Sequence, residues 1–413
     1  MKKLLALLLV LILVAGLVAC GGGNQPPTPT PVAPADPSEP TDTDDPGEPD
    51  PIEIGRQTLR IGIATAFTGP GARGAETQLL GLQVALQHIE EDNFSRYFDF
   101  ELFIGDDHGD AMEAVNAANR LVHQDNVHAM FGHLNAVVTL AGIPVYEEAH
   151  VPLFTPSGSA RAIIDSGFEY VYMVVPSDSI VMATLASYLV NDLGIERIGV
   201  LFSNNEQGQS ALAFVQAGLA PYGMEVAASE AYMVGDVDFT AQMLNFRSAD
   251  VETVLIVGGD IVQRSIMVQQ ARQLIDPDIL ISGDANFANV TFINTTEPEE
   301  RDGIIFAAAW SNADTDAMSL RYIEDFMALD PQGARPGAVT VRFYDGMFLL
   351  ATALNNLGPY DINAPTFQQS LNAAIRAAHF EGLQGMLDPQ PNGETLLRAF
   401  IVRYTLTGEE VLS

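Results

Sequence analysis

Leu59-Arg60-Ile61-Gly62-Ile63-Ala64-Thr65-Ala66 is an almost unbroken apolar run, and its continuation decides the fold. A turn rich in glycine comes next, then a helix-like stretch over 76–91, then a second apolar run over 98–104. A strand buried on both faces reads as a continuous aliphatic run and not as an alternation, so this is a strand, helix, strand unit of a parallel sheet. The unit repeats along the chain. Further strand-like runs lie at 128–131, 151–155, 197–202, 253–257, 279–282 and 303–308, with helix-like segments at 110–123, 179–193, 209–222 and 263–274 between most of them. Met112, Val115, Leu121 and Val122 sketch the apolar face of one such helix. This steady alternation predicts an α/β protein with parallel sheets covered on both faces. The roughly 350 residues from Arg56 onward suffice for two domains.

Upstream, Met1-Lys2-Lys3 precedes an apolar run over 4–18 that ends in Leu17-Val18-Ala19-Cys20. A short basic start, an apolar stretch too short to rest comfortably as a spanning helix, and a small residue before a cysteine read as a secretory signal over 1–19. The cleavage site resembles a bacterial lipobox, which implies that Cys20 is lipidated and that the protein works outside the cytoplasm, anchored to a membrane. Residues 21–51 hold ten prolines and seven acidic residues but no basic one. Such a composition cannot bury enough apolar surface to offset chain entropy, so 20–55 reads as a disordered tether, with a reach on the order of 90 Å at about 3 Å per residue. No other apolar run is long enough to span a bilayer.

Composition excludes several chemistries. Cys20 is the single cysteine, so the fold downstream holds no disulfide, thiolate metal site or catalytic thiol. Lys2 and Lys3 are the only lysines, which removes Schiff-base chemistry and the phosphate-binding lysine of a P-loop. With 53 acidic against 19 basic residues and a net charge of -34, the chain lacks the basic face that nucleic-acid binding requires.

Individual enzyme signatures fail as well. Gly69-x-Gly71-x-x-Gly74 has the outline of a dinucleotide fingerprint, but Pro70 occupies the loop and the next acidic pair, Asp106 and Asp107, lies too far on. Gly208-Gln209-Ser210-Ala211-Leu212 lacks the second glycine of a nucleophile elbow. His123, His128 and His133 are spaced by five, wrong for ligand pairs on one helical face, and read as structural or surface histidines. Neither a catalytic constellation nor a cofactor site is expected. A binding protein remains.

The motifs Phe67-Thr68-Gly69-Pro70, Ile89-Glu90-Glu91-Asp92-Asn93, Phe131-Gly132-His133-Leu134 and Pro144-Val145-Tyr146-Glu147-Glu148 succeed one another in order. Thr155-Pro156-Ser157, Val175-Pro176-Ser177-Asp178, Gly235-Asp236-x-Asp238-Phe239, Gly258-Gly259, Gly283-Asp284 and Phe343-Tyr344-Asp345 continue the series. In this order and spacing the chain resembles the type I periplasmic binding proteins, specifically the leucine/isoleucine/valine-type amino-acid receptors of ABC transporters. The resemblance implies two Rossmann-like lobes with parallel sheets, joined by three crossover strands, with ligand in the cleft between them. It assigns 56–174 plus 309–388 to lobe 1 and 175–308 plus 389–413 to lobe 2, with hinges near 174–177, 308–310 and 388–393.

Loops that leave strands and enter helix N-termini gather backbone N–H donors and hydroxyls, where an anionic carboxylate can sit. Thr155-Pro156-Ser157-Gly158-Ser159 supplies that chemistry in lobe 1. The resemblance implies that Ser157 offers backbone contacts and Ser159 a hydroxyl to the ligand carboxylate, while Asp284 meets the ligand ammonium. Four positions depart from the family pattern. Ala136, after Asn135, replaces a hydroxyl residue; Gly74 and Gln207 stand where aromatics cover the ligand; Asp260 replaces a frequent tyrosine. Losing aromatic walls and gaining polar ones shifts the pocket away from a purely apolar side chain. Arg73, in the first loop, is read as a solvated side chain in preference to a contact for an acidic ligand.

The function implied is capture of an amino acid, or an amide or carboxylate analogue, by lobe closure, and delivery to the permease of an ABC importer. A ligand-sensing receptor of the same fold that signals to a membrane partner is the alternative, and an extracytoplasmic enzyme is disfavoured by the missing signatures.

Overall fold

The structure, a computed structural model, describes residues 55–412 apart from 134, 259, 260, 334 and 396, and of 70, 262, 290 and 291 the backbone only. The segments expected to be a signal and a tether, with Cys20, and Asp260 therefore lie outside the described residues.

The opening apolar run forms β1 (Gln57–Thr65), whose last five residues are all buried. It pairs in parallel with β2 (Phe98–Asp106) on one side and β3 (Ala129–Gly132) on the other, so that Ile63 lies level with Ile104 and Phe131. β4 (Leu153–Thr155) and β5 (Val171–Met173) complete an all-parallel sheet of order β2-β1-β3-β4-β5. The central strands are buried throughout, whereas the edge strand β2 is only intermittently covered, which is why the inner ones read as continuous runs.

The second sheet holds β6 (Ile198–Ser203), β7 (Ala228–Tyr232), β8 (Thr253–Val257), β9 (Leu280–Gly283) and β10 (Ile305–Ala308) in parallel. A short hairpin, β11 (Phe380–Gly382) with β12 (Gly385–Leu387), belongs to neither sheet. The last strands, β13 (Phe400–Thr405) and β14 (Gly408–Val411), then extend the second sheet to the order β14-β13-β10-β9-β8-β6-β7. Both are antiparallel additions at one edge of an otherwise parallel sheet. β13 and β14 form a hairpin with a tight turn and no helix between them, so the strand–helix alternation gave no sign of them.

Each sheet carries its own apolar core. The first core draws in Trp310, Tyr322, Phe343 and Leu354 from the later helices Ala317–Leu329 and Ala338–Leu357 and their approach. The second is built from Phe239, Phe246, Phe287, Phe292 and Phe306 on one face and Leu185, Leu189 and Val215 on the other. The molecule is thus two Rossmann-like lobes, and the chain passes between them three times: after β5, after β10 and before β13.

The crossings are tied to one another and to the second sheet. Met173 N–H donates to the Gly393 carbonyl at 2.8 Å, and Thr395 N–H donates to the Met173 carbonyl at 3.2 Å, so the first and third crossings run side by side. Gly393 has a φ of +84°, and a Cβ there would stand 2.0 Å from the Val171 carbonyl oxygen; only glycine fits. At the second crossing the Ser311 hydroxyl donates to Glu409 on β14 at 2.6 Å.

Candidate ligand-binding site

In an open α/β sheet ligands collect beyond the carboxyl ends of the parallel strands, where loops meet helix N-termini. In the first lobe β4 delivers Thr155, whose Oγ1 accepts the Gly158 N–H at 3.3 Å and holds the Pro156-Ser157-Gly158 turn. Ser157 and Ser159 are half-buried on this loop. The Ser157 hydroxyl is buried and has no hydrogen-bond partner among the described residues. A buried hydroxyl left unpaired is unfavourable by about 1–3 kcal/mol, so such a group is a candidate for external company.

Beside it, after β3, Asn135 caps the helix Ala136–Glu148. Its side-chain oxygen accepts the Val138 N–H at 3.1 Å and its carbonyl accepts the Thr139 N–H at 2.9 Å. The Asn135 side-chain oxygen is therefore committed to the helix. Ala136, half-buried, opens the helix, and the first N–H groups of a helix have no partner within it.

Arg342 completes this wall. It projects from the helix Ala338–Leu357, one of its terminal nitrogens donating to the Pro156 carbonyl at 3.3 Å, while its Nε is buried without a partner. Burial pulls its pKa down to about 10, against the pull of Asp178 in the other direction.

The second lobe supplies the opposite wall. Asn205 caps the helix Glu206–Leu219 by accepting the Gly208 N–H at 2.9 Å. A Cβ at Gly208 would lie 1.9 Å from the Ser203 carbonyl, so glycine here seats the helix on the end of β6 and is not part of a nucleophile elbow. Gln207 is exposed in the first turn. Asp284, just past β9, is fully engaged within the fold: its carboxylate lies 2.8 Å from the Arg264 guanidinium, accepts the Gly258 N–H at 2.9 Å and caps Ala285–Ala288 through Asn286. Arg264 is wholly buried over the Phe287 ring, and its side chain is 0% exposed against 20% for Asp284.

The carboxylate with room to act is Asp178, the first residue of the helix Asp178–Ser187, immediately after the first crossing. It is exposed to water, and groups of both lobes act on it: Ser159 and Arg342 from the first, Asp284 from the second. Its pKa is raised to about 6 by partial desolvation and by the like charge of Asp284, while Arg342 and a hydrogen bond from Ser159 act in the opposite direction. Water reaches the carboxylate, so the desolvation part is only moderate, but the neighbouring Asp284 drives the shift the same way.

Ser157, Ser159 and Asp284 thus converge around Asp178 and Arg342, Asn135 and Ala136 sit on the same edge of the first sheet, and Gln207 lies at the corresponding edge of the second. Sequence reasoning missed Asp178, Arg342 and Arg264 as site residues. Each carries a readable signal: Asp178 falls at a helix start after a crossover, and the two arginines interrupt helices whose neighbouring residues, such as Val341, Phe343, Met267 and Val268, are buried.

The remaining charged motifs are structural. Arg73 keeps an exposed side chain, as expected of a solvated arginine, and also meets the fully buried Asp330 carboxylate at 2.5 Å. His133 is buried between Asp107 at 2.8 Å and the Tyr146 hydroxyl at 2.9 Å, and His128 Nδ1 accepts the Arg60 N–H with its pKa lowered to about 4 by burial. Among the described residues no three His, Cys, Asp or Glu side chains come together as a metal site, and no helix is long and apolar enough to cross a membrane.

Residues 58–408 match the family described as periplasmic binding protein. The leucine-, isoleucine-, valine-, threonine- and alanine-binding protein of Pseudomonas aeruginosa is 24% identical over 337 residues, 82% of this chain and 87% of that one. Among solved structures, the branched-chain amino acid transporter substrate-binding protein of Streptococcus pneumoniae in complex with isoleucine superposes with a TM-score of 0.69 at 20% identity, covering 86% of this chain and 99% of that one. A solute-binding protein of an ABC transporter from Rhodopseudomonas palustris, in complex with 3,4-dihydroxybenzoic acid, superposes with a TM-score of 0.71 at 19% identity, covering 86% and 96%.

Proposed function

Because the chain belongs to the periplasmic binding protein family, we propose that it is the extracytoplasmic solute-binding component of an ABC importer, that it captures an amino acid between its lobes, and that it hands the closed form to a membrane permease. One observation carries the ligand class. Unpartnered donors on the first wall, the Ser157 hydroxyl above all, stand opposite a water-exposed carboxylate, Asp178, on the second. That pair of surfaces is complementary to a zwitterion. The ligand carboxylate would take the Ser157 and Ser159 loop and the start of the helix at Ala136, and its ammonium would take Asp178 with Asp284 behind it. Ligand that touches both walls stabilises the closed arrangement, since only that arrangement offers both sets of contacts. Gln207 and Asp260 would border the side chain of the ligand. Lipidation at Cys20 would hold the protein at the membrane surface, and a Cys20→Ala protein recovered still bound to membranes would contradict that part.

Calorimetry of the whole chain against the common L-amino acids, each compared with its des-amino acid and its carboxamide, tests the reading. At least one L-amino acid should bind at micromolar concentration, and removing either charged group should weaken it strongly. Binding by des-amino acids alone would favour the second reading, a carboxylate ligand without an amine. The Asp284–Arg264 pair favours that reading, because it leaves a single uncompensated acid for an ammonium.

A further inference from the structure

We propose that Arg342 is a ligand-binding residue that forms, with the Ser157 hydroxyl, a charged receptor for the α-carboxylate of the solute, so that binding requires a free carboxylate. The proposal rests on the amino-acid reading of the site. Two polar groups without a hydrogen-bond partner among the described residues meet at one turn, the Ser157 hydroxyl and the Arg342 Nε. A terminal nitrogen of Arg342 donates to the Pro156 carbonyl at 3.3 Å. That carbonyl belongs to the same peptide unit as the Ser157 N–H, so the guanidinium lies against the residue whose hydroxyl is unpaired. The neighbouring donors of the turn are spent: the Gly158 N–H goes to Thr155 Oγ1 at 3.3 Å, and the Ser159 hydroxyl is bonded to Asp178. One neutral donor and one cation remain open side by side.

Arg264 shows how a buried arginine is satisfied when it serves the fold alone, with Asp284 at 2.8 Å and the Phe287 ring at 4.9 Å. Arg342 forms no ion pair among the described residues, and Asp178 acts on it only through its charge. A desolvated cation without a counter-charge is unfavourable, and a carboxylate arriving at the Pro156-Ser157 turn supplies that charge. Charge-assisted hydrogen bonds to a carboxylate are about twice as strong as neutral ones, so Arg342 contributes more to the contact than the Ser157 hydroxyl does. The ligand ammonium then falls to Asp178, and each charge of a zwitterion meets an opposite one. The balance closes without any charged group on the side chain of the solute. Selection at this turn therefore reads the α-carboxylate that all amino acids share, and an α-carboxamide of the same shape, which brings no charge to Arg342, is rejected.

The test crosses protein variants with ligand variants. L-alanine, L-leucine and L-threonine, each with its α-carboxamide and its des-amino acid, are titrated into the whole chain by calorimetry, weak ligands being read by competition. Wild type should prefer the acid over the carboxamide by about thirtyfold or more, and in Arg342→Gln the ratio should fall to within about threefold, with carboxamide affinity unchanged. Arg342→Lys, which keeps the charge but not the fork, should give an intermediate ratio and guards against a fold lost in Arg342→Gln. A ratio near one in wild type, or a wild-type ratio retained in both variants, would overturn the proposal, leave the carboxylate to the neutral donors and let the amino-acid reading stand. Equal losses for acid and carboxamide would also overturn it, because a residue that only holds the Pro156-Ser157 turn weakens both alike. If wild type binds the des-amino acids and no amino acid, the amino-acid reading falls, while a loss of those acids in Arg342→Gln would still support Arg342 as the carboxylate receptor. Wild type that binds none of these compounds would overturn both.

Discussion

The two walls of the cleft handle charge in opposite ways. In the second lobe Asp284 and Arg264 meet and cancel within the fold, with a backbone N–H and an aromatic ring completing their surroundings. In the first lobe Arg342 and the Ser157 hydroxyl are held in place but left without equivalent partners, and Asp178, at the crossing between lobes, is a carboxylate that no cation contacts among the described residues. A charge compensated inside its own lobe serves the fold. A charge left open between the lobes is the kind of group the proposed ligand would engage.

The largest expected effect breaks the compensated wall. Asp284→Ala leaves the Arg264 guanidinium buried without its counter-charge, and losing one partner of such a pair costs about 3–5 kcal/mol. Urea unfolding of the ligand-free protein should show that loss, whereas an Asp284→Ala protein as stable as wild type would mean that the pair is not what holds Arg264. Next comes the open wall. Asp178→Ala should leave ligand-free stability equal or slightly higher, because it removes a like charge facing Asp284, yet weaken amino-acid binding by about 2–3 kcal/mol, roughly thirty- to 150-fold. The contrast between these two substitutions, one read in stability and the other in affinity, is the sharpest form of the comparison.

Acid separates the walls a third way. Asp178 and the fully buried Asp345 both have pKa values raised to about 6, Asp345 chiefly by burial and Asp178 by partial desolvation together with the like charge of Asp284. A carboxyl raised on folding takes up a proton as the chain folds, so its contribution to stability is fully present below about pH 4 and is lost as pH rises through about 6. Between pH 7 and 5 the ligand-free protein should therefore gain stability, about 1 kcal/mol from Asp345 alone. Amino-acid binding should move the other way and weaken below about pH 6, because the ammonium requires ionised Asp178. Thermal unfolding and calorimetry across this window check both signs. The smallest effect is a null one: deleting residues 21–51 should change neither affinity nor unfolding temperature by a measurable amount, and a clear drop in either would mean that the segment packs on the lobes.

The sequence made the architecture legible to the extent that strands were buried on both faces. β1, β6 and β8 are continuous apolar runs, and their positions follow from that alone. β5, three residues long, and β7, an edge strand that alternates exposed and half-buried residues, offered no such signal. The loop of Ser157 and Ser159 was visible as hydroxyls after a strand. Asp284 was visible too, but its engagement by Arg264 was not, because the two are twenty residues apart and meet only when β9 and the helix Ile261–Leu274 pack. Arg342 was hidden for the same reason: its meaning depends on which partners it lacks, and a missing partner is a property of the fold.

The central claim, that ligand bridges the open groups of one wall and Asp178 on the other, is tested most directly by small-angle scattering of the whole chain with and without the amino acid that binds most tightly. Wild type should show a smaller radius of gyration at saturating ligand, and Asp178→Ala no contraction at the same ligand concentration. Equal radii for free and saturated wild type would contradict the claim.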